Sequence, residues 1–303
     1  MTAFDRSAFR GSFVALITPF KNGKVDEKAF QALVEWQVKQ GTHGLVPCGT
    51  TGESPTLTHD EHKRVVELCI EAAAGKAPVM AGTGSNSTAE AVELTHHARK
   101  AGAQAALVVT PYYNKPTQAG LYAHYKALND ACRMPVFVYN IPGRSIVDVS
   151  VDTMAALAKL PNIVGCKDAT GDLTRPAKTR LTCGADFVQL DGDDGTALAF
   201  NAAGGVGCIS VTANIAPKQV AKFQEAMMAG DYAKARKLND ELMPLHHSLF
   251  IETSPGPVKY AAGLLGLCEP DMRLPMVPIQ AASRKAVEAA LERVGLRGKR
   301  KPR

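Results

Sequence analysis

The sequence predicts a (β/α)8 barrel, an α/β fold of the TIM type, followed by a small C-terminal helical domain. Three observations carry this. Short apolar, β-branched runs recur eight times, amphipathic segments bounded by Gly, Pro, Ser, Thr and Asp separate them, and after the eighth run the pattern is helical only. The runs start about 20 to 35 residues apart, room for a strand, a helix and two loops, and their continuous apolar character suits parallel strands covered on both faces. A chain of 303 residues, 46% hydrophobic, can hold one barrel of roughly 250 residues and an appendage.

The first strand is predicted over Phe13 to Thr18 and the second over Gly44 to Cys48, which leads into Gly49-Thr50-Thr51-Gly52-Glu53-Ser54. The next helix begins at Thr58-His59-Asp60-Glu61, where Thr58 caps and Glu61 reaches back as a capping box, and runs toward Gly75. The third strand, Pro78 to Ala81, precedes Gly82-Thr83-Gly84. That pair of glycines lacks the third glycine of a dinucleotide fingerprint, and no fingerprint follows the first strand, which disfavours a doubly wound sheet. The fourth and fifth strands are Ala105 to Thr110 and Pro135 to Asn140, and the sixth is Ile163 to Lys167. The seventh, Phe187 to Leu190, enters Asp191-Gly192-Asp193-Asp194-Gly195, an acidic turn without the spacing of a calcium loop. Val206 to Val211 is the eighth. Helices follow over Pro217 to Met228, Tyr232 to Ser248, Pro257 to Leu265 and Ile279 to Val294. The expected division is a barrel over residues 1–230, helices over 231–296 and a basic tail over 297–303.

Composition excludes several classes. No apolar stretch reaches the roughly 18 residues of a membrane span, and Met1 to Ser12 has no apolar h-region, so a cytoplasmic protein is expected. Seven scattered cysteines, none spaced C-x-x-C, read as reduced thiols. His59 with His62 and His96 with His97 lack cysteine partners or an H-E-x-x-H pattern, so no metal site is assigned. The charge of +6 is concentrated in the tail, where Arg297, Lys299, Arg300, Lys301 and Arg303 lie. Without a basic face elsewhere, nucleic-acid binding is not expected.

Barrel enzymes draw their chemistry from the C-terminal ends of several strands. Lys167 ends the sixth strand there. An unperturbed lysine is almost wholly ammonium at neutral pH, with a pKa of roughly 10.4, whereas desolvation or cationic neighbours can release a nucleophilic amine. Its bland alternative is an ion pair with Asp168 or a side chain reaching for water. Other strand ends add Thr50 and Thr51, then Tyr112 and Tyr113 in Thr110-Pro111-Tyr112-Tyr113-Asn114-Lys115-Pro116. Tyr139 and Arg144 follow in Tyr139-Asn140-Ile141-Pro142-Gly143-Arg144-Ser145. Singly, tyrosines pack as core residues and Arg144 pairs with Asp148. Together they are an amine, phenols able to relay protons, hydroxyls, and a guanidinium able to grip a carboxylate, which is the equipment of Schiff-base chemistry on a keto acid.

On these segments, with Gly165-Cys166-Lys167-Asp168-Ala169-Thr170-Gly171, Gly192-Asp193-Asp194 and Ile209-Ser210-Val211-Thr212-Ala213-Asn214, the chain resembles the dihydrodipicolinate synthase family of pyruvate-dependent class I aldolases and lyases. The resemblance covers nearly the whole chain. It implies condensation of pyruvate with L-aspartate 4-semialdehyde on the diaminopimelate route to lysine, without metal or organic cofactor. By the same resemblance Lys167 matches the Schiff-base lysine, Tyr139 the proton donor and acceptor, and Thr50 the link from Tyr139 to Tyr113 of a neighbouring subunit. Thr51 matches the group that binds the pyruvate carboxylate, and Arg144 the group that holds the semialdehyde's. Gly192 and Ile209 match positions that shape the pocket. A homotetramer, a dimer of dimers, is implied.

The alternatives within the superfamily are N-acetylneuraminate lyase and another keto-sugar-acid aldolase. Arg144 after a Pro-Gly turn favours a short aldehyde with its own carboxylate over a sugar. Outside it, a catalytically silent barrel would bind partners through its tail. Ser54, His59, His62, Gly84, Asn86, Glu90 and Tyr112 match positions at which lysine-inhibited members bind lysine; the structural alternative is that the histidines merely start a helix and Asn86 caps the next. The chain departs from the common family pattern at Ser254-Pro255, where many relatives carry Asn-Pro.

Overall fold

Each of the eight apolar runs contributes a strand to one parallel sheet in the computed structural model, which describes residues 4–297. The basic tail from residue 298 onward lies outside the described residues, and Arg297 pairs with Glu288 at 3.3 Å. The chain enters through β1 (Gly11–Ala15) and a short hairpin of β2 (Phe20–Lys21) and β3 (Lys24–Val25), then continues through α1 (Glu27–Lys39) and β4 (Gly44–Val46). Next come α2 (His59–Ala73), β5 (Met80–Gly82), α3 (Thr88–Ala101), β6 (Ala105–Val109), α4 (Gln118–Cys132) and β7 (Val136–Asn140). Two short helices, α5 (Pro142–Ser145) and α6 (Val151–Leu157), precede β8 (Ile163–Asp168). The barrel ends with α7 (Arg175–Cys183), β9 (Val188–Asp191), α8 (Ala197–Ala202) and β10 (Gly207–Ser210). Four helices complete the chain: α9 (Pro217–Met228), α10 (Tyr232–Ser248), α11 (Gly256–Leu264) and α12 (Ala281–Arg293).

Strand order is β4-β1-β10-β9-β8-β7-β6-β5. A parallel bridge between Leu45 and Val79, with Gly82 N–H donating to Pro47 O at 2.9 Å, joins the two ends into a ring. The helix after β4 starts with the expected capping box between Thr58 and Glu61. Strand β4 is two residues shorter than the expected run to Cys48, because Pro47 has no N–H for the ladder and Cys48 turns left-handed at φ 55°. The first and third strands lie two residues either side of their expected starts, and β8 extends one residue beyond Lys167, to Asp168.

Alternation divides the apolar residues into an interior and a jacket. Phe13, Val46, Met80, Leu107, Phe137, Val164, Leu190 and Ile209 fill the barrel. Phe9 stacks on Phe13 and tilts onto Phe137 with ring centroids 5.8 and 5.4 Å apart, plugging the N-terminal end and leaving the opposite mouth for chemistry. Outside, one apolar cluster runs without a break from Val14, Leu45 and Ala81 through α9 to Leu242, Val258 and Leu291 of the last three helices.

The pairing of β7 with β8 is irregular. Val136 faces Ile163, but Phe137 faces Gly165, so Val164 is an extra residue and the register advances by one. Beyond the bulge Tyr139 faces Lys167. Gly165 permits this: a Cβ there would strike the Val188 carbonyl oxygen and sit 2.7 Å from the Phe137 ring. Gly165→Ala is therefore expected to lower the unfolding free energy by about 3 kcal/mol, read from urea midpoints at constant m.

Candidate active site

Lys167 and Tyr139 sit side by side at the C-terminal end of the barrel, 6% and 5% exposed, with Lys167 Nζ 4.3 Å from the centre of the Tyr139 ring. Among the described residues no carboxylate pairs with Lys167. Its sequence neighbour Asp168 points to the other face of β8, where Arg175 Nε donates to it at 2.8 Å, and Thr170 adds its hydroxyl and N–H. Arg175 is itself held by Val149 O at 2.7 Å and by Asp148 at 3.4 Å. The expected competing ion pair of Lys167 with Asp168 is thus replaced by one with an arginine seven residues on.

Glycine makes room for the amine. A Cβ at Gly192 would lie 3.0 Å from Lys167 Cε and 2.5 Å from Ala169 Cβ, so any larger residue would push the lysine stem aside. Gly192 N–H donates to Asp168 O at 2.7 Å, which ties the end of β9 to that of β8. Ile209 is fully buried in the interior cluster, beneath the same mouth.

After β4 the chain makes two consecutive tight turns, with Gly52 N–H donating to Gly49 O and Glu53 N–H to Thr50 O, both at 3.1 Å. The Thr18 hydroxyl donates to Gly52 O at 2.7 Å and anchors them. This brings Thr50 and buried Thr51 to the mouth. Thr50 and Tyr139 line a small cavity of about 30 Å³ that also reaches Ser54 and Gly84. The larger grooves, lined by α9, α10 and α12, contain none of these strand-end residues.

Arg144 projects from α5 and is exposed; its Nη2 reaches Ser254 O at 3.4 Å rather than Asp148, which instead accepts from Asn140 and Arg175. The Ser254-Pro255 departure from the family pattern therefore meets the arginine through its backbone. Tyr113 is the outlier. It is held left-handed at φ 74° and is 90% exposed, and its hydroxyl has no hydrogen-bond partner among the described residues.

The second set of matched residues gathers around α2 and α3. His59 Nε2 meets Glu90 Oε1 at 2.6 Å, and the Ser85 hydroxyl also donates to Glu90. That donor, with help from His59, holds the Glu90 carboxyl below the usual range. Buried His62 donates from Nε2 to Gly82 O at 2.8 Å, and burial pushes its pKa down to about 4, so it is neutral at pH 7. Ser54 opens a 3-10 turn. Asn86 does not cap α3; Ser87 does, while Asn86 O accepts from Asn114 on the Tyr112–Tyr113 loop.

Residue patterns gave no sign of Arg175, and Asp194 stood in a matched segment without a role of its own. Asp194, read as part of a plain turn, accepts from Ser210 Oγ at 2.5 Å and from the N–H groups of Val211 and Thr212 at 2.9 and 3.0 Å, fixing the chain after β10. Lys259 had a usable signal, as the one charged residue in the helix Gly-Pro-Val-Lys-Tyr-Ala-Ala-Gly-Leu.

Residues 8–294 match the family model described as the dihydrodipicolinate synthetase family. A 4-hydroxy-tetrahydrodipicolinate synthase of Rhodospirillum centenum is 67% identical over 288 residues, covering 95% of this chain and 99% of that protein. The crystal structure of dihydrodipicolinate synthase from Aquifex aeolicus superposes with a TM-score of 0.94 at 46% identity, covering 95% of this chain and 99% of that one. That of the Cyanidioschyzon merolae enzyme with lysine bound gives 0.92 at 36% identity, covering 95% and 99%.

One acid beside the site titrates unusually. Burial at the end of β9 pushes Asp191 up to about 7, against the donors Thr196 Oγ1 and Asp193 N–H. Its folded pKa exceeds its unfolded one, so its contribution to stability is fully present below pH 4 and is lost as pH rises through about 7, on the order of 4 kcal/mol in all. Asp191→Asn should flatten that fall, and urea midpoints measured from pH 4 to 8 would contradict this if both proteins lost stability equally.

Proposed function

The chain belongs to the dihydrodipicolinate synthetase family, and from that membership we propose how its barrel mouth condenses pyruvate with L-aspartate 4-semialdehyde to give 4-hydroxy-tetrahydrodipicolinate. The observation that carries the mechanism is Lys167, buried, without a carboxylate partner and stacked against Tyr139. As the free amine, Lys167 Nζ attacks the ketone carbon of pyruvate; water leaves and a protonated imine forms. The cationic nitrogen draws electrons from the adjacent bond, so a methyl proton departs and an enamine results. The enamine carbon attacks the aldehyde carbon, and the new alkoxide takes a proton. The substrate's amino group then adds to the imine carbon and expels Lys167, closing the ring and regenerating the amine.

Tyr139 gives and takes protons beside the imine, which its place next to Nζ supports. Thr50 relays them to Tyr113 of a second subunit, a role supported by the exposure of Tyr113. Thr51 binds the pyruvate carboxylate, Arg144 receives that of the semialdehyde, and Gly192 and Ile209 bound the space around the imine. The working unit is a dimer of dimers; exposed Leu173 and Leu181 near α7 offer a second apolar contact besides Tyr113. The enzyme works in the cytoplasm, where its seven free thiols stay reduced. No helix among the described residues is long and apolar enough to cross a membrane.

Lysine acts at Ser54, His59, His62, Gly84, Asn86, Glu90 and Tyr112. Its ammonium replaces His59 as the partner of Glu90, and the cavity shared by Ser54, Gly84, Thr50 and Tyr139 connects this site to the catalytic one.

Borohydride added with pyruvate should reduce the imine and leave an adduct on Lys167 that peptide mass spectrometry locates. Lys167→Ala should show neither adduct nor synthase activity, whereas an unmodified native protein would refute the mechanism. For the effector site, Glu90→Gln is expected to raise the lysine concentration for half inhibition at least tenfold with uninhibited kcat kept within twofold, measured in a coupled assay.

A further inference from the structure

Glu53 lies two residues beyond Thr51 and is 4% exposed, yet it carries a carboxylate. Its backbone is left-handed at φ 55°, its N–H closes the turn onto Thr50 O, and its carbonyl accepts from Thr56 N–H at 3.0 Å. It is therefore the pivot of the substrate-binding turn. The carboxylate pairs with Lys259 of α11, whose Nζ lies 2.5 Å from Oε1 and whose side chain is wholly buried. Lys259 also donates to Asp271 O at 2.6 Å and covers the face of Phe20, 4.1 Å from the ring centre.

The segment after α11 returns to the same turn. Arg273 N–H donates to Glu53 Oε2 at 3.2 Å, and its guanidinium grips Glu61 with two bonds of 2.6 and 2.5 Å while donating to Thr56 O and Gly23 O, both at 2.8 Å. Arg273 lies over Phe20 too, at 4.5 Å. One ring thus carries two cations, and both bind the stretch from Glu53 to Glu61. A buried ion pair is a costly source of stability, because desolvating two charges offsets much of their attraction. It does constrain direction: with either partner displaced, a buried charge is left unmatched.

We propose that Glu53 and Lys259 are positioning residues, a buried clamp by which the C-terminal helices hold the Thr50–Thr51 turn in the orientation that receives the carboxylate of pyruvate. The inference rests on the reading of Thr51 given above. It assigns the C-terminal helices a part in catalysis, since α11 acts on the first substrate through a turn it shares no sequence with. The aldehyde is received by Arg144 of α5, which meets the start of α11 only through Ser254 O at 3.4 Å and bonds neither Glu53 nor Lys259.

The test is steady-state kinetics of the full-length protein carrying Glu53→Gln together with Lys259→Met, which removes both charges and strands neither. The KM for pyruvate should rise about tenfold while that for the aldehyde stays within twofold. Unfolding in equilibrium with the free enzyme raises an apparent KM by the reciprocal of the folded fraction, so the constants are compared at a temperature at which far-UV circular dichroism shows the variant fully folded, where a loss of stability alone leaves both values unchanged. Unchanged KM values in the double variant, or an equal rise in both, would overturn the clamp. If that double variant does not fold, Glu53→Gln with Lys259→Gln, which keeps two polar ends facing each other and leaves no buried charge unmatched, is read by the same two outcomes. Borohydride trapping on the unaltered enzyme separates the two claims: an adduct on Lys167 with unaltered KM values removes only the clamp, and no adduct removes the mechanism it rests on.

Discussion

One extra residue in β8 governs the site. Were β7 and β8 paired without the bulge at Val164, Tyr139 would face Cys166, a residue of the outer jacket, and Lys167 would point at the helices. The bulge turns the last residues of the strand by one position, so the amine enters the barrel and Asp168 leaves it. Every later feature depends on that rotation: the phenol beside the nitrogen, the glycine at 192 that admits the lysine stem, and the carboxylate sent outward to Arg175.

Electrostatics completes the separation. A lysine next to an aspartate in sequence would ordinarily find its counter-ion there, but strand alternation puts the two on opposite faces, and Arg175 takes the carboxylate. Charge at this end of the barrel is thus bound up in pairs that exclude the amine: Asp168 with Arg175, Glu53 with Lys259, Glu61 with Arg273, and Asp194 with the backbone after β10. Each of these contacts also ties together two separate segments, so the arrangement that frees Lys167 braces the chain around it.

The same bracing reaches the face between α2 and α3. His59, Glu90 and Ser85 form a small polar cluster, and a small cavity links Ser54 and Gly84 to Thr50 and Tyr139. A ligand that draws Glu90 away from His59 would act on the neighbourhood of the turn that carries Thr50.

Local chemistry in the sequence determined the elements and the inventory of reactive groups. Eight apolar runs spaced for βα units dictate the barrel, Thr58 and Glu61 cap α2, and loops rich in Thr, Tyr and Arg follow the strands where such barrels keep their chemistry. These features were legible because each depends on residues within a few positions of one another. Tertiary structure decided what pairs with what. The bulge in β8, the arginine that removes Asp168 from Lys167, the meeting of Arg144 with Ser254 across 110 positions and of Arg273 with Glu53 across 220 all depend on contacts between distant segments. Neither propensity nor periodicity encodes such contacts, because the energy that selects them exists only once the ring has closed and both partners have left water.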